Sequence, residues 1–165
     1  MHPIDGVPMV LKSAIAMREA LGAIIVAVRP GSPCVPTLLA QGFEVIECPR
    51  ADEGMGGTLA DAVAAVPAGA AGFIIALADM PFIRPGTIAA IAQALDAGAT
   101  LAAPAYRGER GHPVGLGAAY RDELLALTGD AGARAIIKRD AERITLVEVD
   151  DPGVLRDIDT PADLG

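Results

Sequence analysis

Asp79 carries the clearest chemical signal in this chain, in the run Leu77-Ala78-Asp79-Met80-Pro81. It follows an unbroken apolar stretch, residues 72–78 (GFIIALA), so a carboxylate closes a segment whose composition calls for burial. A buried carboxylate is costly unless something satisfies it. A divalent cation would do so, and Mg²⁺ is commonly held by one or two carboxylates together with phosphate oxygens. An Asp ahead of a Pro-containing loop also caps the turn that follows. The local sequence supports both readings.

More acids gather toward the other end: Asp150, Asp151, Asp157, Asp159 and Asp163. Asp157 and Asp159 flank Ile158 and share one face of an extended segment. Like charges on one face repel unless a cation, an Arg or water lies between them. A second metal ligand and plain solvent exposure are the two alternatives. Asp150-Asp151 before Pro152-Gly153 reads as a turn. Thr160-Pro161-Ala162-Asp163 reads as a helix N-cap, a proline at the first helical position and an acid in the first turn.

Two further stretches carry polar chemistry. Glu53-Gly54-Met55-Gly56-Gly57-Thr58-Leu59 precedes an Ala-rich helical pattern. A glycine turn feeding a helix N-terminus offers free N–H groups and the positive end of the helix dipole to an anion or polar ligand. The plainer reading is a flexible turn with Thr58 as N-cap. Arg107-Gly108-Glu109-Arg110-Gly111-His112-Pro113 forms a polar loop in which His112 is either a ligand contact or an ordinary hydrogen-bonded histidine.

These residues need elements to hold them. Apolar runs at 23–28, 43–47, 72–78, 100–104 and 144–149 read as strands. Residues 111–116 make a weaker one, because Pro113 has no N–H for a ladder. The unbroken apolar character of 23–28 and 72–78 suits strands covered on both faces. Helical stripes recur at Val10, Ala14, Met17 and Leu21, and at Ile88, Ile91, Ala92 and Leu95 after Pro85-Gly86-Thr87. Tyr120, Leu124 and Leu127 mark another helix, and Asp130 is placed to cap the one carrying Ala133, Ile136 and Ile137. The alternation predicts a three-layer α/β domain with a mostly parallel sheet, in one domain over residues 1–165. In such sheets, ligands gather at the carboxyl ends of the strands.

Composition narrows the function classes. The 165 residues carry 13 basic and 21 acidic side chains, a net charge of −8. That argues against a nucleic-acid binder, which needs clustered Lys and Arg. Hydrophobic residues make up 52% of the chain and aromatics 3%, so the core is built from Ala, Val, Ile and Leu. No apolar run is long enough to span a bilayer, and no secretory signal opens the chain. Cys34 and Cys48 form neither a metal motif nor a disulfide framework. The expectation is a cytoplasmic protein with no membrane partner. The sequence lacks Gly-x-Ser-x-Gly, His-Glu-x-x-His and Walker motifs, which removes support for nucleophilic hydrolase and zinc-protease chemistry.

Taken in order, these motifs resemble the MobA-like nucleotidyltransferases, with the molybdenum cofactor cytidylyltransferase branch nearest. The likeness runs from Asp5-Gly6-Val7-Pro8-Met9 through Pro49–Leu59 and Leu77–Pro81. It continues through Gly111-His112-Pro113-Val114 and Gly129-Asp130-Ala131-Gly132-Ala133-Arg134 to Asp157-Ile158-Asp159-Thr160-Pro161-Ala162-Asp163-Leu164. The resemblance implies a Rossmann-like three-layer fold and transfer of CMP, or alternatively GMP, from CTP or GTP to molybdopterin with loss of pyrophosphate. It implies Mg²⁺ at Asp79 and Asp157, with Asp159 as the alternative partner. It puts Gly54, Met55, Gly56, Gly57, Thr58 and Leu59 toward the nucleotide base and Gly111, His112 and Pro113 toward the pterin, with a molybdoenzyme as a further partner. The family opens with a strand and a Gly-rich triphosphate loop that this sequence does not contain. Residue 1 aligns just after that loop, so the resemblance implies an N-terminally truncated fold and impaired turnover. A binding module on the same fold, or a transferase for another phosphorylated substrate, are the competing expectations.

Overall fold

The computed structural model describes residues 3, 4 and 7–158. They divide into two compact units. One comprises the described residues up to 24, residues 74–116 and those from 145 onward, and the other residues 25–73 and 117–144. The closing helix expected from Thr160, together with Asp159 and Asp163, lies outside the described residues.

The first unit opens with β1 (Pro3–Ile4) paired antiparallel to β2 (Val7–Pro8). Helix α1 (Met9–Leu21) follows, matching the predicted apolar stripe. Gly22, at φ 81°, ends it by returning its N–H to the Arg18 carbonyl, a backbone conformation that favours glycine.

The second unit starts with β3 (Ile25–Val28), then α2 (Val35–Ala40) and β4 (Glu44–Glu47). β3 and β4 pair in parallel, Ile25 opposite Glu44, as their crossover through a helix requires. A 3₁₀ turn over Pro49–Glu53 leads into α3 (Met55–Ala65). No basic residue lies in the last turn of α3. Arg121 supplies the missing charge from elsewhere in the chain, donating to the carbonyls of Val63, Val66 and Pro67.

β5 (Gly72–Ile75) starts in the second unit and ends in the first. It stops three residues short of the predicted 72–78, because residues 78–79 turn. In the first unit, α4 (Pro85–Asp96) begins at the expected proline, and β6 (Leu101–Tyr106), β7 (Glu109–Arg110) and β8 (Val114–Gly117) follow. The sheet order is β5-β8-β6-β7. β6 runs antiparallel to β7 and β8, so the fold is mixed α/β with both parallel and antiparallel pairings.

The predicted strand 111–116 begins only at Val114. Between the pairs Ala105–Arg110 and Ala102–Gly115 the register advances by two residues, so Gly111, His112 and Pro113 form a bulge. Gly115 lets α4 close on β8, where a Cβ would meet Ile91 Cγ2 at 2.9 Å.

The 117–144 part of the second unit holds α5 (Arg121–Leu125) and α6 (Arg134–Arg139). The N-cap of α6 is Ala133, so Asp130 does not cap it as the sequence suggested; Asp130 lies in the preceding turn. β9 (Ile144–Glu148) returns the chain to the first unit and pairs with β6. A 3₁₀ turn over Pro152–Leu155 precedes residues 156–158. The first unit's core includes Met80, Ile83, Ile88 and Val154, with Met17, Leu21, Ile74 and Leu77 packed around them.

Candidate functional site

In the first unit, Asp79 sits in a turn four residues beyond β5. Its backbone is fixed from two directions. Ser13 of α1 donates its hydroxyl to the Ala78 carbonyl at 3.1 Å. The Ile158 N–H donates to the Asp79 carbonyl at 2.9 Å. That second bond brings the backbone of Asp157 beside that of Asp79, although 77 residues of chain intervene. Asp79 is half-buried with its Oδ1 sealed from solvent, while Asp157 is exposed. Ile158 is 4% exposed, so its side chain turns inward, while Asp157 before it faces outward.

Carboxylates on these two neighbouring backbone segments are oxygen donors of the kind Mg²⁺ or Mn²⁺ takes together with phosphate oxygens. Among the described residues no group of three or more His, Cys, Asp or Glu side chains could hold a metal alone.

The bulge residues lie in the same unit. Gly111 donates to the Pro104 carbonyl at 2.8 Å, and His112 donates its backbone N–H to Val154 O at 3.0 Å. A Cβ on Gly111 would run into Val154, which is why glycine stands there. His112 is half-buried, and its peptide bond to Pro113 is cis.

The second unit holds the glycine stretch. Helix α3 begins at Met55, so Gly56, Gly57, Thr58 and Leu59 form its first turns and only Gly54 precedes it. Thr58 is therefore not the N-cap; its Oγ1 donates back to the Gly54 carbonyl at 3.2 Å. The Gly56 N–H donates to Gly129 O at 2.6 Å. A Cβ on Gly56 would lie 2.7 Å from the Thr128 carbonyl carbon, and one on Gly57 would meet the Arg50 backbone. Gly54, at φ 111°, presses against Gly129 and Asp130. The glycines thus admit neighbouring backbone, and two separate sequence motifs, 54–59 and 129–134, meet as a result.

Arg50 braces this corner. Its N–H donates to Asp61 at 2.9 Å and its guanidinium to the Leu127 carbonyl at 2.8 Å. Beside it opens a cavity of about 510 Å³ lined by Arg29, Ala51, Gly54, Met55, Thr58 and Asp130. Arg29 and Asp130, one of each sign, flank a helix N-terminus there, which suits a planar ligand carrying both donors and acceptors.

The carboxylate Asp151 was legible only as a turn residue. It does receive the Gly153 N–H at 3.0 Å, as an Asp-initiated turn should. It is also 2% exposed, and its other oxygen accepts the Arg84 N–H at 2.9 Å and the Thr87 hydroxyl at 2.7 Å. It thereby ties the residue ahead of α4 and a side chain of its first turn to the 151–153 turn, a role no local signal encodes. Arg29 was equally unmarked in the sequence.

The family model for the MobA-like NTP transferase domain matches residues 1–144. This chain belongs to the MobA-like NTP transferase family. It is similar to the crystal structure of Rv0371c in complex with manganese from Mycobacterium tuberculosis H37Rv. That likeness has a TM-score of 0.80 at 22% identity over 99% of this chain and 87% of that one. It is similar to a nucleotidyl transferase from Methanothermobacter, with a TM-score of 0.78 at 23% identity over 98% and 79% of the two chains. It is also similar to CMP:2-keto-3-deoxy-manno-octonic acid synthetase complexed with CTP, with a TM-score of 0.75 at 17% identity over 99% and 87%. No curated protein matches the chain. The MobA-like fold expected from the motifs is therefore the fold of this protein, and the family is of nucleotidyltransferase type. Among the described residues no helix is long and apolar enough to cross a membrane.

Proposed function

We propose that this protein is a cytoplasmic, Mg²⁺-dependent transferase that moves CMP from CTP, with GMP from GTP as the alternative, to the terminal phosphate of a molybdopterin-type acceptor. The observation that carries this reading is the Ile158–Asp79 backbone bond, which sets Asp157 beside Asp79. Asp79 and Asp157, with Asp159 as the alternative, would hold the metal, which when bound neutralises phosphate charge. An acceptor phosphate oxygen attacks the α-phosphorus in line, the bond to the β-phosphate oxygen breaks, and pyrophosphate leaves. Positioning provides much of the rate in such transfers.

Gly54 through Leu59 and the cavity beside them are assigned to the base. Arg29 and Asp130 offer the donors and acceptors that distinguish one base from another. Gly111, His112 and Pro113 are assigned to the acceptor, which a molybdoenzyme would finally receive. The preference for CTP rests on the Gly111–Val114 and Gly129–Arg134 motifs, and the pterin acceptor on the family resemblance.

The test is pyrophosphate release by the purified protein with Mg²⁺, molybdopterin and each of CTP, GTP and UTP, alongside titration of nucleotide binding. Release that requires both molybdopterin and CTP is expected. Nucleotide binding with no release under any pairing would replace the reading with a binding module. Release with UTP and a different phosphorylated acceptor would replace it with another transferase.

A further inference from the structure

Residues 151–158 run alongside residues 79–84 in the opposite direction, joined at both ends. At one end the Ile158 N–H meets the Asp79 carbonyl. In the middle, Gly153 lies against the Phe82 backbone, and the Arg156 guanidinium stacks 4.3 Å from the Phe82 ring centre. At the far end the buried Asp151 carboxylate takes the Arg84 N–H, the Thr87 hydroxyl and the Gly153 N–H. The Arg84 side chain adds a charge contact at 3.9 Å and donates to the Asp150 carbonyl at 2.7 Å. Between the two ends, the carbonyl of the fully buried Val154 holds the His112 backbone.

We propose that Asp151 is a positioning residue for the reaction proposed above: by anchoring residues 151–158 to the start of α4, it sets the register that places Asp157 beside Asp79 and His112 against Val154. The role rests on the metal assignment made under the proposed function. The reason is mechanical. Ile158 and Asp79 share one backbone bond, and a single backbone bond contributes too little to hold Asp157 in place. Asp151 carries the buried, charge-assisted bonds of the strip, so it determines where the remainder lies. Groups that orient metal ligands without touching the metal affect its affinity in this way.

The experiment is Mn²⁺ titration of the whole chain with CTP present, for wild type, Asp151→Asn and Thr87→Val. Each is read well below its melting midpoint. Amide exchange at Ile158 and His112 is measured in parallel. Asn retains one acceptor oxygen for three donors, so Asp151→Asn is expected to weaken Mn²⁺ binding by about tenfold and to speed exchange at both amides. Thr87→Val keeps the carboxylate and removes one donor. It is expected to produce the same changes more weakly, and it carries the test if Asp151→Asn does not fold. Variants that melt lower yet bind Mn²⁺ as wild type does would reduce Asp151 to a fold anchor and overturn the role. Wild-type protein that binds no Mn²⁺ overturns the metal assignment and this role together, whereas wild-type binding that the variants leave intact overturns this role alone.

Discussion

The glycine corner of the second unit and the carboxylate strip of the first are both made from motifs conspicuous in the sequence, but they are held together in different ways. Around Gly54–Gly57 the contact is backbone against backbone. Thr128, Gly129 and Arg50 approach so closely that side chains are excluded. Around Asp79 the contact is a run of hydrogen bonds ending in a buried carboxylate. The first arrangement depends on shape and does not tolerate added volume. The second depends on polar register and does not tolerate a lost acceptor. Substitutions therefore separate them.

The largest effect is expected in the carboxylate strip. Asp79→Asn keeps the volume and the backbone bonds and removes a charge. Turnover should fall by about a hundredfold or more, as when one group that stabilises transition-state charge is removed, with the melting midpoint nearly unchanged. Steady-state rates and calorimetry check both halves. A variant of wild-type activity would break the assignment of Asp79.

The glycine corner should behave in the opposite way. Gly56→Ala places a methyl against the Thr128 carbonyl. It is expected to cost about 2 kcal/mol by overpacking, a drop of roughly 4–8 °C in melting midpoint for a chain of this size. Mn²⁺ binding by the folded protein should change little. Equal losses in stability and metal binding would show that the two regions are not separable in this way.

The smallest effect concerns pH, and it locates polar stabilisation inside the second unit. Asp140 accepts the Tyr120 hydroxyl at 2.8 Å and pairs with Arg139 at 2.6 Å. Its hydrogen bonds, first that from Arg139, pull the carboxyl from its ordinary 3.8 down to about 2. Burial and the same Asp140 bond push the Tyr120 phenol up. A carboxyl depressed in the folded state stabilises fully above 3.8, and that contribution is lost as pH falls through about 2. Asp140→Asn should therefore lower the midpoint at neutral pH, with the gap to wild type closing across that acidic window. Thermal melts at several pH values check the sign.

Much of the fold was legible beforehand because periodicity reports burial. The apolar stripe from Val10 to Leu21 became α1, and the Pro85 start became α4. The misreadings occurred where two local rules competed. The 72–78 run looked like one strand but ends at Ile75, because hydrophobicity marks burial and not ladder pairing. Thr58 looked like a cap, yet Gly54 takes that position and lets the helix start three residues earlier than Thr58. The 111–116 strand begins late because Pro113 gives no N–H and His112 gives its own to Val154.

The sequence by itself determined the family, the order of most elements and which carboxylates and glycines are proposed for the chemistry, since residue types and short-range spacing encode those. Only the tertiary structure decided which of these residues meet. That Asp157 stands beside Asp79, that Gly129 faces Gly56, and that Asp151 is a buried anchor and not merely a turn residue all depend on contacts between segments far apart in the chain. Such contacts arise from hydrogen-bond satisfaction and close packing in the folded core, and no local pattern records them.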